Sequence, residues 1–91
     1  MNITVEKPTP ERLEKLKVKS WPTLEKEACE IDWYFDRTEE SYFLEGRVLV
    51  VTEDGQEVEV KKGDLAVFPK GLRCTWHIKE PILKHFILRD D

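Results

Sequence analysis

Two stretches of this chain set chemically useful side chains at fixed distances from glycines. In the first, Glu39–Gly46, a carboxylate stands before Gly46 with six residues between them. In the second, Gly63–Cys74, Gly63 is followed after five residues by Pro69-Lys70-Gly71 and, after two more, by Cys74. A carboxylate can ligate a metal or move a proton, and a thiolate can ligate a soft metal or attack an electrophile. The histidines, His77 and His85, are the other groups suited to such work. Cys74, Trp76 and Ile78 alternate along one strand face, so His77 points to the other. No Cys–His pair forms by facing, and a thiolate at Cys74 would need a cation such as Arg73 or Lys84 beside it. Cys29 and Cys74 are far apart and suggest free thiols in a reducing cytoplasm rather than a disulfide framework.

The elements that must position these groups are almost all strands. Ile3–Glu6 reads as a short first strand. Thr9 caps a short helix over Pro10–Leu16, with Pro10 at its first position and Leu13 and Leu16 on one face. Ser20-Trp21-Pro22 is an extended link. Cys29, Ile31, Trp33 and Phe35 then alternate with Glu30, Asp32, Tyr34 and Asp36, the period of a half-buried strand. This puts Tyr34 on the outward face; Tyr34 and Trp21 are either exposed, or covered by the N-terminal segment or a dimer contact. Asp36–Glu40 is a polar connection. Ser41–Thr52 is a long strand, with a bend or bulge expected at Gly46. Asp54-Gly55 supplies a hairpin turn, and Val58 and Val60 alternate with Glu57, Glu59 and Lys61 on a solvated face. Leu65–Phe68, Arg73–Lys79 and Ile82–Leu88 complete the set, with Pro81 punctuating the last two. Short strands separated by Gly, Pro and Asp-Gly turns predict an antiparallel sandwich or barrel.

Composition narrows the function classes. The chain has 91 residues, enough for one domain. Within it, residues 1–23 form an N-terminal strand and helix segment, and residues 24–90 form the barrel. The net charge of −4 and the absence of a basic cluster argue against nucleic-acid binding. No apolar run approaches a membrane span, and the N-terminus lacks the apolar stretch of a signal peptide. Charged residues make up 37% and Asn and Gln are scarce, a balance that fits the ion-pair networks of heat-adapted proteins.

The two spaced motifs resemble those of the cupins. Glu39 and Gly46 match the end of the first cupin motif. Gly63, Pro69 and Gly71 match the second, with Cys74 in the place usually held by histidine. The sixteen residues between Gly46 and Gly63 are close to the short spacing of small cupins. The run Thr75–Phe86, with Trp76, Glu80 and Lys84, resembles the end of a subfamily that includes ethanolamine-utilisation-type and ureidoglycine-aminohydrolase-like members. The resemblance implies an all-β fold, a small antiparallel jelly-roll barrel with a short N-terminal helix. It also implies a site inside that barrel. The histidines of the first motif are absent, because Trp33 and Phe35 stand near their positions. Glu39 and Cys74 then supply only two metal ligands, short of the three a catalytic transition metal usually needs. The expectation is a site without metal or other cofactor.

In the cupin frame, Trp33, Phe35, Glu39, Phe43, Cys74 and Trp76 face the interior, a grouping that strand parity supports. The subfamily pattern adds Lys84, whose direction alternation alone leaves open. A buried Glu39 should pair with a cation or take a proton, and Lys84 is the implied partner. The first reading is a pocket that binds a small polar metabolite. A second makes Glu39 the acid or base of an enzyme acting on a small nitrogen-containing metabolite, with Lys84 tuning it. A third is a non-catalytic interaction or sensing module. The chain is expected to be a monomer or a homodimer. The aromatics could equally fill the core and leave no cavity.

Overall fold

The computed structural model describes residues 2–90. Chain order is β1 (Thr4–Glu6), α1 (Pro10–Leu16), a 3-10 turn (Val18–Ser20), β2 (Thr23–Lys26), β3 (Cys29–Tyr34), β4 (Thr38–Thr52), β5 (Glu57–Lys61), β6 (Leu65–Phe68) and β7 (Arg73–Arg89). The expected antiparallel jelly roll with a short helix is present. Thr9 caps α1 by accepting a hydrogen bond from the Arg12 N–H at 3.2 Å, and Pro10 opens the helix.

The architecture hangs on one long antiparallel pair, β4 with β7, which bends in the middle. Before the bend, Thr38–Glu45 of β4 pairs with Leu83–Arg89 of β7. Strands β6 and β1 extend this half from β4, and β2 extends it from β7. Beyond the bend, Arg47–Thr52 pairs with Cys74–Glu80. Strand β5 borders that half on the β4 side and β3 on the β7 side. The result is two facing half-sheets joined through shared strands. The strand path β1-β6-β4-β7-β2 stays open, so the sheet is a curled sandwich rather than a closed barrel.

The bend lies where Gly46 meets Pro81. Pairing shifts register between Phe43 and Val48, the mark of bulges. Gly46 takes φ +91°, and a Cβ there would lie 2.2 Å from the Pro81 carbonyl oxygen. Proline is tolerated in mid-strand because the bulge leaves its position without a ladder partner. The bulge also resets alternation along β4. Glu39, Ser41 and Phe43 are buried before it, and Val48, Val50 and Thr52 after it. Inward positions thus change from odd to even numbers.

The space between the half-sheets holds the main core, including Phe35, Phe43, Val48, Val50, Phe68, Trp76 and Ile82. A smaller cluster lies on the outer face of the first half-sheet. There Val18 and Trp21 pack on Leu65, flanked by Leu13, Leu16, Tyr42 and Ile87. Trp21 is therefore buried, covered by the N-terminal segment rather than exposed, because the helix and the 3-10 turn fold over that face. Tyr34 is half exposed, with the Arg73 guanidinium 4.6 Å from its ring centre.

Two further expectations change. Asp36–Glu40 is not a connection throughout, because β4 begins at Thr38 and already contains Glu39. Pro81 does not divide the last segment, which runs as one strand of seventeen residues. On the surface, Arg47 of β4 links its two neighbours β5 and β7, lying 3.5 Å from Glu59 and 3.1 Å from Glu80.

Candidate functional site

The first half-sheet aims three polar side chains inward. The β4–β7 register sets Phe43 opposite Lys84 and Ser41 opposite Phe86. Glu39, Ser41 and Phe43 share one face, so the Lys84 side chain can run along β4 towards all three. Lys84 Nζ donates to Glu39 Oε2 at 2.6 Å and to Ser41 Oγ at 3.2 Å. Ser41 in turn donates to the same Glu39 Oε2 at 2.7 Å. All three residues are buried, with Lys84 only 2% exposed.

Aromatic rings surround the ammonium. Its nitrogen lies 4.6 Å from the Trp76 ring centre, 5.6 Å from Phe43, and 5.9 Å from Phe68 and from Phe86. These distances permit cation–π attraction. Trp76 is the hub of a ring cluster that includes Phe68 at 5.3 Å and Trp33 at 5.7 Å. Burial among these rings holds the Lys84 amine below its ordinary pKa. The Glu39 charge and hydrogen bond oppose that shift.

A cavity of about 270 Å³ opens over this group. Trp33, Tyr34, Phe35, Phe86 and Leu88 form apolar walls, and Asp36, Arg37, Glu39 and Lys84 add charge. The aromatics therefore do not close the interior completely. The larger cleft, about 400 Å³, lies on the other side of Trp33 and is lined by Asp32, Thr52, Arg73 and Cys74 among others. It touches neither Glu39 nor Lys84, so the chemistry of the charged group belongs to the smaller cavity.

The structure brings together six of the seven residues singled out in the sequence. Glu39, Lys84, Phe43 and Trp76 form the group itself, and Trp33 and Phe35 stand beside it in the cavity wall. Cys74 is separate. Its Sγ lies 3.8 Å from the Trp33 carbonyl oxygen, and burial pushes its thiol up. The Trp76 indole Nε1 is buried without a sound hydrogen bond, and the thiol beside it is a weak acceptor. Nothing here favours a thiolate. Alkylation at neutral pH should therefore label the exposed Cys29 rapidly and spare Cys74 in the folded protein. Peptide mapping that finds both labelled at equal rates would overturn this description.

Sequence reasoning missed Ser41, Phe68, Phe86 and Arg37. Ser41 had a signal, since it shares parity with Glu39 and Phe43. Phe86 shares parity with Lys84 in the same way. Arg37 lies between strands, where alternation carries no information.

The donor set does not fit a transition metal. Among the described residues, no three His, Cys, Asp or Glu side chains gather where a metal could be held. The inner carboxylate already binds an ammonium, which would repel a second cation.

The chain belongs to the EutQ-like cupin domain family, whose model matches residues 13–86. Among solved structures it is similar to a DUF861 family protein of the thermophile Thermotoga maritima, with 53% identity and a TM-score of 0.96. That match covers 97% of this chain and all of the other. It also resembles the EutQ protein of Clostridium difficile, at 19% identity and a TM-score of 0.68. There it covers 75% of this chain and 53% of that one. A putative ethanolamine utilization protein Q of Salmonella typhimurium is alike at 21% identity and 0.66, covering 72% and 53%. The last two likenesses concern the fold alone. No curated protein matches the chain. Among the described residues, no helix is long and apolar enough to cross a membrane.

Proposed function

We propose that this cupin binds a small polar, nitrogen-containing metabolite in the cavity above Glu39 and Lys84, without a transition metal. The observation that carries the reading is the buried 2.6 Å ion pair at the floor of a cavity that reaches solvent. A buried ion pair adds little to stability that apolar residues of the same volume would not. Its placement under an aromatic-walled cavity has the form of a ligand site, with flat apolar walls and a few convergent polar groups. One fold neighbour, a putative ethanolamine utilization protein Q, makes small amine-bearing compounds the first class to screen.

A thermal-shift screen of small metabolites tests the proposal. The comparison is a charge-balanced variant, Glu39→Gln with Lys84→Met, which keeps the volume and removes both charges. Ligands that raise the melting temperature of the natural protein should lose most of that effect in the variant. A hit that stabilises both equally would place binding elsewhere.

A second reading is supported by the shared Glu39 Oε2, which accepts from both Lys84 and Ser41. Such an arrangement can move a proton, so Glu39 is the acid or base if the bound metabolite is turned over.

A further inference from the structure

Lys84 is an amine with unusual surroundings. It lies at the floor of a cavity, is bonded to a carboxylate and a hydroxyl, and is ringed by aromatic faces. A surface lysine is a strongly hydrated ammonium with no lone pair to offer. Here water is largely excluded and a proton acceptor sits 2.6 Å from the nitrogen.

We propose that Lys84 captures small aldehydes, its amine condensing with the carbonyl carbon to give an iminium ion held between Glu39 and the surrounding rings. This rests on the reading of the cavity as a ligand site and names the reactive class it admits. The steps balance within the group. The ammonium passes one proton to Glu39, leaving a neutral amine and a neutral carboxyl. The nitrogen lone pair attacks the carbonyl carbon, and a proton moves from nitrogen to the carbonyl oxygen, giving a carbinolamine. Glu39 returns its proton to the carbinolamine hydroxyl. The C–O bond breaks, water leaves, and the nitrogen lone pair forms the C=N bond. The product is an iminium beside a carboxylate, so the cation and its counterion are conserved. No oxidant or reductant takes part.

The physical advantage lies in that conservation. The same rings and the same carboxylate stabilise ammonium and iminium alike. Burial, which depresses the amine's proton affinity, raises the fraction in the attacking form. Ser41, at 3.2 Å from the nitrogen, keeps a hydroxyl beside the reacting atoms.

The test uses the whole protein with glycolaldehyde and sodium cyanoborohydride near neutral pH, followed by peptide mass mapping. Burial favours the free amine, so Lys84 should be modified measurably faster than exposed lysines such as Lys19 and Lys79. The charge-balanced variant should keep the slow surface adducts and lose the fast one. Adducts confined to surface lysines in a folded protein would overturn the inference. If thermal-shift hits persist while Lys84 stays unmodified, only the covalent step falls. If neither hits nor a Lys84 adduct is found, the ligand site falls with it.

Discussion

Replacing Glu39 by glutamine is expected to destabilise the protein by about 3–5 kcal/mol, because it leaves the Lys84 ammonium buried without its counter-charge. The amide keeps the shape of the carboxylate and one acceptor oxygen, so the loss is electrostatic rather than steric. Lys84→Met should cost a comparable amount, since Glu39 would then be a buried carboxylate supported by Ser41 alone. The two changes together should return the protein to within about 1–2 kcal/mol of its original stability, the non-additivity of a buried pair. Urea unfolding of the four proteins measures the coupling directly. A single substitution costing less than about 1 kcal/mol would mean that the pair is hydrated and contributes as surface pairs do.

The same variants carry a pH signature. In the folded protein the Lys84 amine lies below its ordinary value of 10.5, with burial as the main cause. The unfolded chain thus binds more protons in the window just under 10.5, and stability from this group rises with pH there. Glu39 supplies both influences that oppose the depression. Without Glu39 the folded value falls further, and the window extends downward. The Glu39→Gln variant should regain more stability than the natural protein as pH rises from neutral towards 10.5. Equal pH slopes for the two would argue that Glu39 does not hold the charge on Lys84.

Gly46→Ala is the second change with a large effect. A Cβ at this position would stand 2.2 Å from the Pro81 oxygen, 2.7 Å from its carbon and 2.8 Å from the Ile82 Cα. All three are backbone atoms of the paired strand, so no side chain can turn aside. Relief requires β4 and β7 to separate at their corner. The positive φ adds about 1–2 kcal/mol of its own. A total of roughly 4 kcal/mol or more is expected, enough to unfold a domain of this size or nearly so. Gly55→Ala is the matched control. It has almost the same φ of +90° but nothing within 4 Å of the new Cβ. Its cost should stay near about 1–2 kcal/mol. Equal losses in chemical denaturation for the two variants would exclude the steric explanation.

Much of this design is legible in the order of residues. Asp54-Gly55 announced its hairpin, and Cys74, Trp76 and Ile78 announced their inward face. Glu39 and Trp76 were found through motif spacing and strand parity together. Lys84 shows where that reasoning stops. A proline in a strand pattern normally ends it, so the phase set by Cys74, Trp76 and Ile78 was not carried past Pro81. The strand in fact continues, and Ile82 and Lys84 keep the same even-numbered phase. Read through the proline, alternation alone would have turned Lys84 inward. In β4 the bend at Gly46 was legible from the glycine, but the change of inward positions from odd to even was not, because residue type does not encode how a bulge shifts the register. For Trp21 the sequence left exposure and coverage both open, because its burial depends on the outer face of a sheet formed by residues far along the chain.

That phase reset has a consequence for how the molecule can change. A strand running straight through both half-sheets would tie every inward residue to one register, and a slip at either end would turn them all outward. The corner at Gly46 breaks the tie. Alternation on its far side, in Val48, Val50 and Thr52, is counted afresh from the bulge. Additions or losses around the Asp54-Gly55 turn leave Glu39, Ser41 and Phe43 facing as they do. The half carrying Glu39, Ser41 and Phe43 is insulated from changes in the Asp54-Gly55 hairpin, while the other half remains tied to the site through Trp76 and Trp33.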